Sequence, residues 1–103
     1  MKIMLTIGSI VYLKEGSQKI MILNRGPVVN ENDKNVLYDY SGCRYPSGLN
    51  PNEVLYFNQE NVDSILFNGY TDEEEERFEQ LYTEWLNGEG KLIERGIVSK
   101  PLG

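Results

Sequence analysis

One stretch near the carboxyl end of the chain restricts the fold more than any other, because it has the N-terminal cap, the apolar periodicity and the C-terminal residues of an amphipathic helix. Thr71 is a favourable N-cap, and Glu74 three residues later completes the spacing of a capping box. Asn87-Gly88 is a typical helix end. Between them the apolar side chains recur at helical spacing on one stripe: Phe78, Leu81, Tyr82, Trp85 and Leu86. We predict a helix from about Asp72 to Asn87 whose stripe packs on one face of a sheet.

The sheet that this helix needs is predicted from short β-branched and aromatic segments earlier in the chain, separated by turn residues. The predicted strands are Gly8–Leu13, Gln18–Asn24, Val36–Tyr40, Val54–Phe57 and Val62–Phe67, the last being either a strand or a tight turn leading into one. We expect a polar surface loop over Val28–Asn35. We also expect irregular backbone over Ser41–Asn52, which contains two glycines and two prolines.

This order of elements predicts an α+β fold, namely a small bent antiparallel sheet or SH3-like roll of four to five strands followed by one C-terminal amphipathic helix. The length of 103 residues predicts a single domain, 1–103, with its core over about 5–88. The segment 89–103 is ambiguous. Leu92-Ile93 and Ile97-Val98 could form a short strand or a docking segment, whereas the glycines and Pro101 favour an irregular, mobile tail.

The composition argues against most catalytic and metal-binding chemistry. The chain has no histidine and one cysteine, Cys43, so the commonest general base, the usual zinc ligands and an internal disulfide are missing. Cys43 is more simply a packed small residue than a reactive thiol, because no base accompanies it. We therefore predict that the protein is not an enzyme and that it binds no metal and no cofactor.

Charge and hydropathy restrict the partners and the location. The formal charge of −6 repels phosphate groups, which disfavours nucleic acids and anionic membranes as partners. No apolar run approaches the roughly twenty residues of a membrane span, and the amino terminus lacks the pattern of a signal peptide. Together with the single cysteine, these features predict a cytoplasmic protein whose partner is another protein.

Two groups of residues are candidates for binding that partner. The acidic run at the helix start, with Glu73 and Glu76, is either a solvated, dipole-stabilised first turn or a contact surface for a basic partner. The second group is Tyr40, Arg44 and Tyr45, in a loop rich in glycine and proline. Tyrosine and arginine dominate protein interfaces because they contribute large contact area at low entropic cost. The alternative is that Tyr40 is a core residue and that Tyr45 only shapes the turn.

Two segments of the chain resemble a small bacterial family of domains of unknown function, DUF4176. The first is Leu5-Thr6-Ile7-Gly8-Ser9-Ile10-Val11-Tyr12-Leu13, followed by Lys19-Ile20-Met21-Ile22. The second is Tyr38-Asp39-Tyr40-Ser41-Gly42-Cys43-Arg44-Tyr45-Pro46-Ser47-Gly48. The resemblance extends over roughly residues 5–82. Thr6 departs from it, because the family usually has proline there, and this affects only the start of the first strand.

The resemblance implies a role that the residues alone do not give. Members of the family look like accessory proteins encoded beside type VII secretion genes of Gram-positive bacteria, often near LXG toxins. This implies a cytosolic chaperone or targeting factor for a secreted toxin. Two alternatives stay open: an immunity protein that neutralises a toxin, for which a small acidic body is suited to a basic nuclease cleft, and a small-ligand-binding domain. The resemblance implies no catalytic residues.

Overall fold

The computed structural model describes residues 4–102, so residues 1–3 and 103 of the predicted domain lie outside the described part. Within that part the chain forms eight β-strands in two sheets and one α-helix. The strands are β1 (Ile10–Leu13), β2 (Lys19–Arg25), β3 (Val28–Glu31), β4 (Lys34–Leu37), β5 (Tyr40–Tyr45), β6 (Leu55–Phe57), β7 (Val62–Phe67) and β8 (Glu94–Arg95), and the helix is α1 (Glu73–Asn87). The predicted α+β class is confirmed, and the larger sheet does not close into a barrel.

The larger sheet has five antiparallel strands in the order β6-β5-β2-β1-β7. Side chains alternate between its faces, as strand geometry requires. Val11 and Leu13 of β1 and Ile20 and Ile22 of β2 are buried, while their neighbours along each strand are more exposed. With Leu5, Tyr40 and Phe57 these four residues form the hydrophobic core. The core therefore lies on one face of the sheet, called here the inner face.

The segment Val28–Asn35 is not the polar surface loop that we predicted but most of a β-hairpin. β3 pairs with β4 in antiparallel fashion from Val28 with Leu37 to Glu31 with Lys34. Asn32 and Asp33 form the two-residue turn, both with positive φ (53° and 64°). These residue types tolerate the left-handed conformation that the turn needs. The polar composition suggested a loop because most of this hairpin is exposed, so little apolar patterning marks its strands.

The prediction of irregular backbone over Ser41–Asn52 is wrong for its first part, because β5 runs through the sheet between β2 and β6. Gly42 is one of the glycines on which that prediction rested. In the structure it is buried opposite Ile22, and a Cβ atom there would lie 2.8 Å from Cγ2 of Ile20 and from the carbonyl oxygen of Met21. Glycine is therefore needed for close packing rather than for a turn. The predicted strand Val36–Tyr40 is correspondingly divided, since β4 ends at Leu37 and β5 begins at Tyr40.

The helix has nearly the predicted bounds, but its cap and its packing differ. Asp72, not Thr71, is the N-cap, and its side chain accepts a hydrogen bond of 3.0 Å from the backbone N–H of Glu75. The predicted stripe is only partly covered: no residue of α1 is fully buried, and Phe78 and Leu81 are exposed. No helix within residues 4–102 is both long and apolar enough to cross a membrane.

The segment after α1, which the sequence left ambiguous, is packed against the domain. Its one short strand, β8, pairs with β4 in parallel fashion and lies between Leu92-Ile93 and Ile97-Val98, the two pairs that we considered for a strand. Gly96 is buried, its N–H donates to the carbonyl oxygen of Leu37 at 2.8 Å, and its carbonyl oxygen accepts from the Asn58 amide at 2.9 Å. Val98 and Leu102 contact the hydrophobic core.

Candidate partner-binding surfaces

The five residues that we proposed from the sequence do not lie on one surface. Tyr40 is a core residue, 1% exposed, with its ring centroid 5.8 Å from that of Phe57. Its hydroxyl accepts a hydrogen bond from the Leu5 N–H at 2.9 Å and donates to the Gln59 side chain. Burial raises the pKa of Tyr40 to about 12, so it is neutral at all ordinary pH values. This is the core alternative that we weighed for Tyr40.

Arg44 and Tyr45 end β5 at the same corner of the sheet but face different surroundings. The Arg44 guanidinium forms an ion pair of 2.8 Å with Glu53, in which both side chains are well exposed. Exposed pairs of this kind contribute about 0–1 kcal/mol, so Arg44 remains available to a partner. Tyr45 is 44% exposed, and its carbonyl oxygen accepts a hydrogen bond of 2.7 Å from the Gln18 amide.

Tyr45 lines a groove on the face of the sheet opposite the core. Cross-strand pairing places Phe67 of β7, Ile10 of β1 and Met21 of β2 side by side, and Lys19 opposite Tyr45. Residues opposite one another in neighbouring strands share a face. The resulting groove has a volume of about 400 Å³ and is called here the outer groove; its side chains are Ile10, Lys19, Met21, Tyr45, Leu66 and Phe67. Five of these six are apolar or aromatic, so the groove suits an apolar group.

The outer groove borders one of the two edges of the sheet, the strand β7. Val62 is half-buried, and the other five residues of this strand are exposed. Among the described residues, β7 is paired only with β1. Ile65, Leu66 and Phe67 are 48%, 48% and 62% exposed. Three consecutive large apolar side chains exposed on an edge strand are unusual, because such edges promote association with other chains.

Tyr40 and Glu76, far apart in the sequence, line one cavity between α1 and the sheet. This helix cavity has a volume of about 810 Å³. Its apolar lining includes Met4, Tyr82 and Leu86, and carboxylates of α1 contribute to its walls. Glu73, the last of the predicted residues, is not part of this lining and is exposed in the first turn of the helix.

Arg25, which joins the helix to the sheet, is a residue that the sequence analysis did not identify. Its guanidinium forms two hydrogen bonds with the Glu75 carboxylate, of 2.7 and 2.6 Å, and donates to the Leu5 carbonyl oxygen at 3.1 Å. It also lies over the Phe78 ring, 4.4 Å from the centroid. Both charged side chains are nearly buried. A single arginine at the end of a strand gives no sequence signal, because its partners lie 20 and about 50 residues away.

Arg25 and the spacing of the helix glutamates set two pKa values in opposite directions. The guanidinium, by hydrogen bonding the Glu75 carboxylate, lowers the pKa of that group. Glu79 lies one helical turn further on, and its contact with Glu75, together with burial, raises its pKa above the ordinary value. The Tyr82 hydroxyl, also on this side of the helix, is buried without a hydrogen-bond partner among the described residues.

The chemistry available on these surfaces is apolar contact, hydrogen bonding and charge pairing. Within residues 4–102, no group of three or more histidine, cysteine, aspartate or glutamate side chains is placed to hold a metal ion. Cys43 is a buried free thiol.

A comparison with known protein families assigns the chain to a family. The profile of the domain of unknown function DUF4176 matches residues 4–78, well over half of the chain. The chain belongs to the DUF4176 family. No curated protein and no solved structure matches it.

The matched region of this DUF4176 protein differs in how much it contains of the outer groove and of the helix cavity. The outer groove and all of β7 lie inside it. It ends at Phe78, so most of α1 lies beyond it, together with the Glu79, Tyr82 and Leu86 walls of the helix cavity. The matched residues therefore include the whole outer groove and only part of the helix cavity.

Proposed function

We propose that this DUF4176 protein is a non-catalytic accessory factor that binds another protein. The observation that carries the proposal is the outer groove beside the exposed apolar edge of β7. Soluble monomeric proteins seldom expose contiguous large apolar side chains, and where they do the patch is often an interaction site. Tyr45 and Phe67 are aromatic residues of the type that anchors protein interfaces.

The finer form of the proposal takes its partner from the family resemblance. We propose a cytosolic chaperone or targeting factor for a toxin exported by type VII secretion. A chaperone for a secretion substrate must cover apolar surface of the substrate before export, and the outer groove provides an apolar surface for that contact. The formal charge of −6 keeps the free protein soluble despite this surface.

A second candidate is an immunity protein, which the acidic start of α1 favours. Four consecutive glutamates, Glu73 to Glu76, follow the Asp72 N-cap. Such a surface complements the basic active-site cleft of a nuclease, and charge complementarity speeds this kind of association. This candidate places the contact on the helix rather than on the outer groove.

Co-expression of the tagged chain with an inactivated form of the toxin encoded nearest to its gene tests both candidates. A stable complex is expected with the unaltered chain. Phe67→Asp and Tyr45→Ala should weaken the complex if the outer groove binds, whereas Leu92→Asp, at a residue 89% exposed and outside the groove, should not. Charge reversal at Glu73 and Glu76 should weaken it instead if the acidic helix start binds.

Two cellular measurements separate the roles. A chaperone is required for export of the toxin, whereas an immunity protein protects cells from the active toxin even when export is blocked. A well-folded chain that forms no complex with any product of the neighbouring genes would refute both roles.

A further inference from the structure

The two edges of the five-stranded sheet differ in a way that bears on how a partner binds. At one edge β6 has only three residues, Leu55–Phe57, and all of them are buried or half-buried. At the other edge β7 has six residues, of which five are exposed. An edge strand presents a row of unpaired backbone N–H and C=O groups, which can pair with a strand from another chain.

The sequence of β7 has few of the features that protect an edge from such pairing. Natural edge strands are usually short, carry lysine or proline, or are covered by another element. β7 contains neither lysine nor proline, and its one charge is Asp63 near the start. Its pairing with β1 has two register shifts of the bulge kind, which is one of the protective features, but the strand itself stays extended to Phe67. The edge is therefore available over most of its length.

We propose that the partner binds by adding an extended strand to β7, so that the sheet grows from five strands to six. This inference rests on the proposed function, because it specifies how the protein partner is held. Main-chain hydrogen bonds along β7 supply affinity in such complexes, and side-chain pockets beside the strand supply specificity. The outer groove is that pocket: Leu66 and Phe67 belong both to β7 and to the groove. Every second side chain of the added strand points to the groove face.

The charges around β7 determine the chemistry of the added segment. Asp63 lies near the start of the strand, and Asp72, Glu73 and Glu74 follow within a few residues of its end. Ile7, Tyr70 and Phe78 line a separate pocket together with the carboxylates of Asp72 and Glu74. The matching segment alternates apolar with polar residues at its centre and carries lysine or arginine at its ends.

The same charges argue against a second copy of this chain as the occupant. If two β7 strands paired in antiparallel fashion, the start of one would face the end of the other. Asp63 of each copy would then approach the acidic residues Asp72 to Glu74 of its partner, at both ends of the pair. Like charges at an interface oppose association, and two chains of charge −6 repel at long range as well.

Selection from a displayed library of short random peptides against the full chain tests the chemistry of the segment. We expect the recovered peptides to alternate apolar and polar residues and to have basic ends. Recovery of helical patterns, with apolar residues three and four apart, or of acidic peptides would overturn the proposal. Failure to recover any binding peptide would overturn it too, while leaving the co-expression complex as independent support for the proposed function.

Backbone methylation of the best recovered peptide tests strand addition directly. Two versions are made, each N-methylated at alternate residues, so that each lacks the N–H groups on one side of the strand. Loss of several hydrogen bonds should weaken one version by about tenfold or more and leave the other nearly unchanged. Equal affinity of both versions and the parent peptide would show that side chains alone dock, which overturns strand addition.

Amide exchange and a matched pair of variants locate the site on the protein. Binding of the peptide should slow exchange of β7 amides and leave β6 amides unchanged. Leu66→Lys, at a residue 48% exposed, should weaken peptide binding at least tenfold. Leu49→Lys, at a leucine 57% exposed in a loop, should leave it unchanged. Protection at β6, or equal effects of the two variants, would contradict the assignment to β7.

Discussion

At the scale of single residues, the contact between Arg25, Glu75 and Glu79 has the clearest energetic consequences. Arg25 neutralises one of two glutamates that lie four residues apart on the helix, and its guanidinium makes both of its short hydrogen bonds with Glu75. Glu79 is left beside a carboxylate that is held ionised. Like charges four residues apart on a helix destabilise it by about 0.2–0.5 kcal/mol.

The raised pKa of Glu79 predicts that replacing this residue by a neutral one stabilises the folded protein, and that the stabilisation depends on pH. A group whose pKa is higher in the folded state than in the unfolded state favours folding at low pH, and this contribution is lost as pH rises through the folded value. Glu79→Gln should therefore increase the free energy of unfolding by about 0.2–0.5 kcal/mol at neutral pH. The gain should disappear below about pH 4, near the ordinary glutamate pKa.

Urea denaturation across this pH range checks the prediction. Glu84→Gln is the control, because its helix neighbours four residues away are Gln80 and Gly88, which carry no charge. A Glu79→Gln variant that is no more stable than the unaltered chain at neutral pH would contradict the assignment of the pKa shift to Glu75.

At the scale of secondary-structure elements, two glycines allow close contacts between elements that are distant in the sequence. Gly42 lets β5 pass close to β2, and Gly96 lets the segment after β8 pass over Tyr38. A Cβ atom at Gly96 would lie 2.3 to 2.5 Å from ring atoms of Tyr38. That ring is held by a hydrogen bond of 2.8 Å from its hydroxyl to Glu31, so it cannot move away freely.

Gly96→Ala is predicted to destabilise the protein by about 1–3 kcal/mol, the usual effect of overpacking a filled site. Thermal or urea unfolding measures this change. The control is a double-mutant cycle: in a Tyr38→Leu background the ring is absent, and the added methyl group should be much less destabilising. Equal effects in both backgrounds would mean that the backbone conformation, not the Tyr38 ring, selects glycine.

The elements also show which sequence signals were sufficient. The helix was predicted within one residue at its start, because its apolar period, acidic first turn and terminal Asn-Gly are all local signals. The strands β1, β2, β6 and β7 were also predicted from local signals, namely short segments of β-branched and aromatic residues. The β3–β4 hairpin and β5 were missed, since Asn32-Asp33 is an uncommon turn pair and Gly42 serves a contact between distant segments.

At the scale of the whole molecule, the helix is held to the sheet by few contacts. No residue of α1 is fully buried. The Arg25–Glu75 ion pair is nearly buried, the Tyr82 ring packs on Gly26, and the helix cavity separates much of the remaining interface. Regions with few buried apolar contacts open more readily than the core. The ion pair is therefore expected to control whether α1 stays docked.

Glu75→Gln should uncouple the helix from the sheet. Breaking a buried ion pair by removing one partner destabilises by about 3–5 kcal/mol, because the other charge remains buried. Amide exchange should accelerate in α1 far more than in β1, β2 and β5. Glu53→Gln, which removes an exposed ion pair with Arg44, should change exchange and stability little. Uniform acceleration throughout the chain would instead mean that helix and sheet unfold as one unit.

The sequence identified individual candidate binding residues, but it did not indicate which of them lie together on one surface. Tyr45 does line the outer groove, but Tyr40 and Glu76 line the helix cavity, and Glu73 and Arg44 belong to neither set of walls. Leu66 and Phe67 were predicted as strand residues, and nothing in their neighbours along the chain indicated that β7 would be an edge.

The sequence by itself determined the fold class, the helix, half of the strands and the acidic character of the protein, because each of these depends on residues close together in the chain. Only the tertiary structure decided the order of the strands, the position of β7 at the edge, the outer groove and the pairing of Arg25 with Glu75. These features depend on contacts between residues far apart in the sequence. Such contacts depend on how the whole chain satisfies its packing and hydrogen bonds together, which no local period or spacing records.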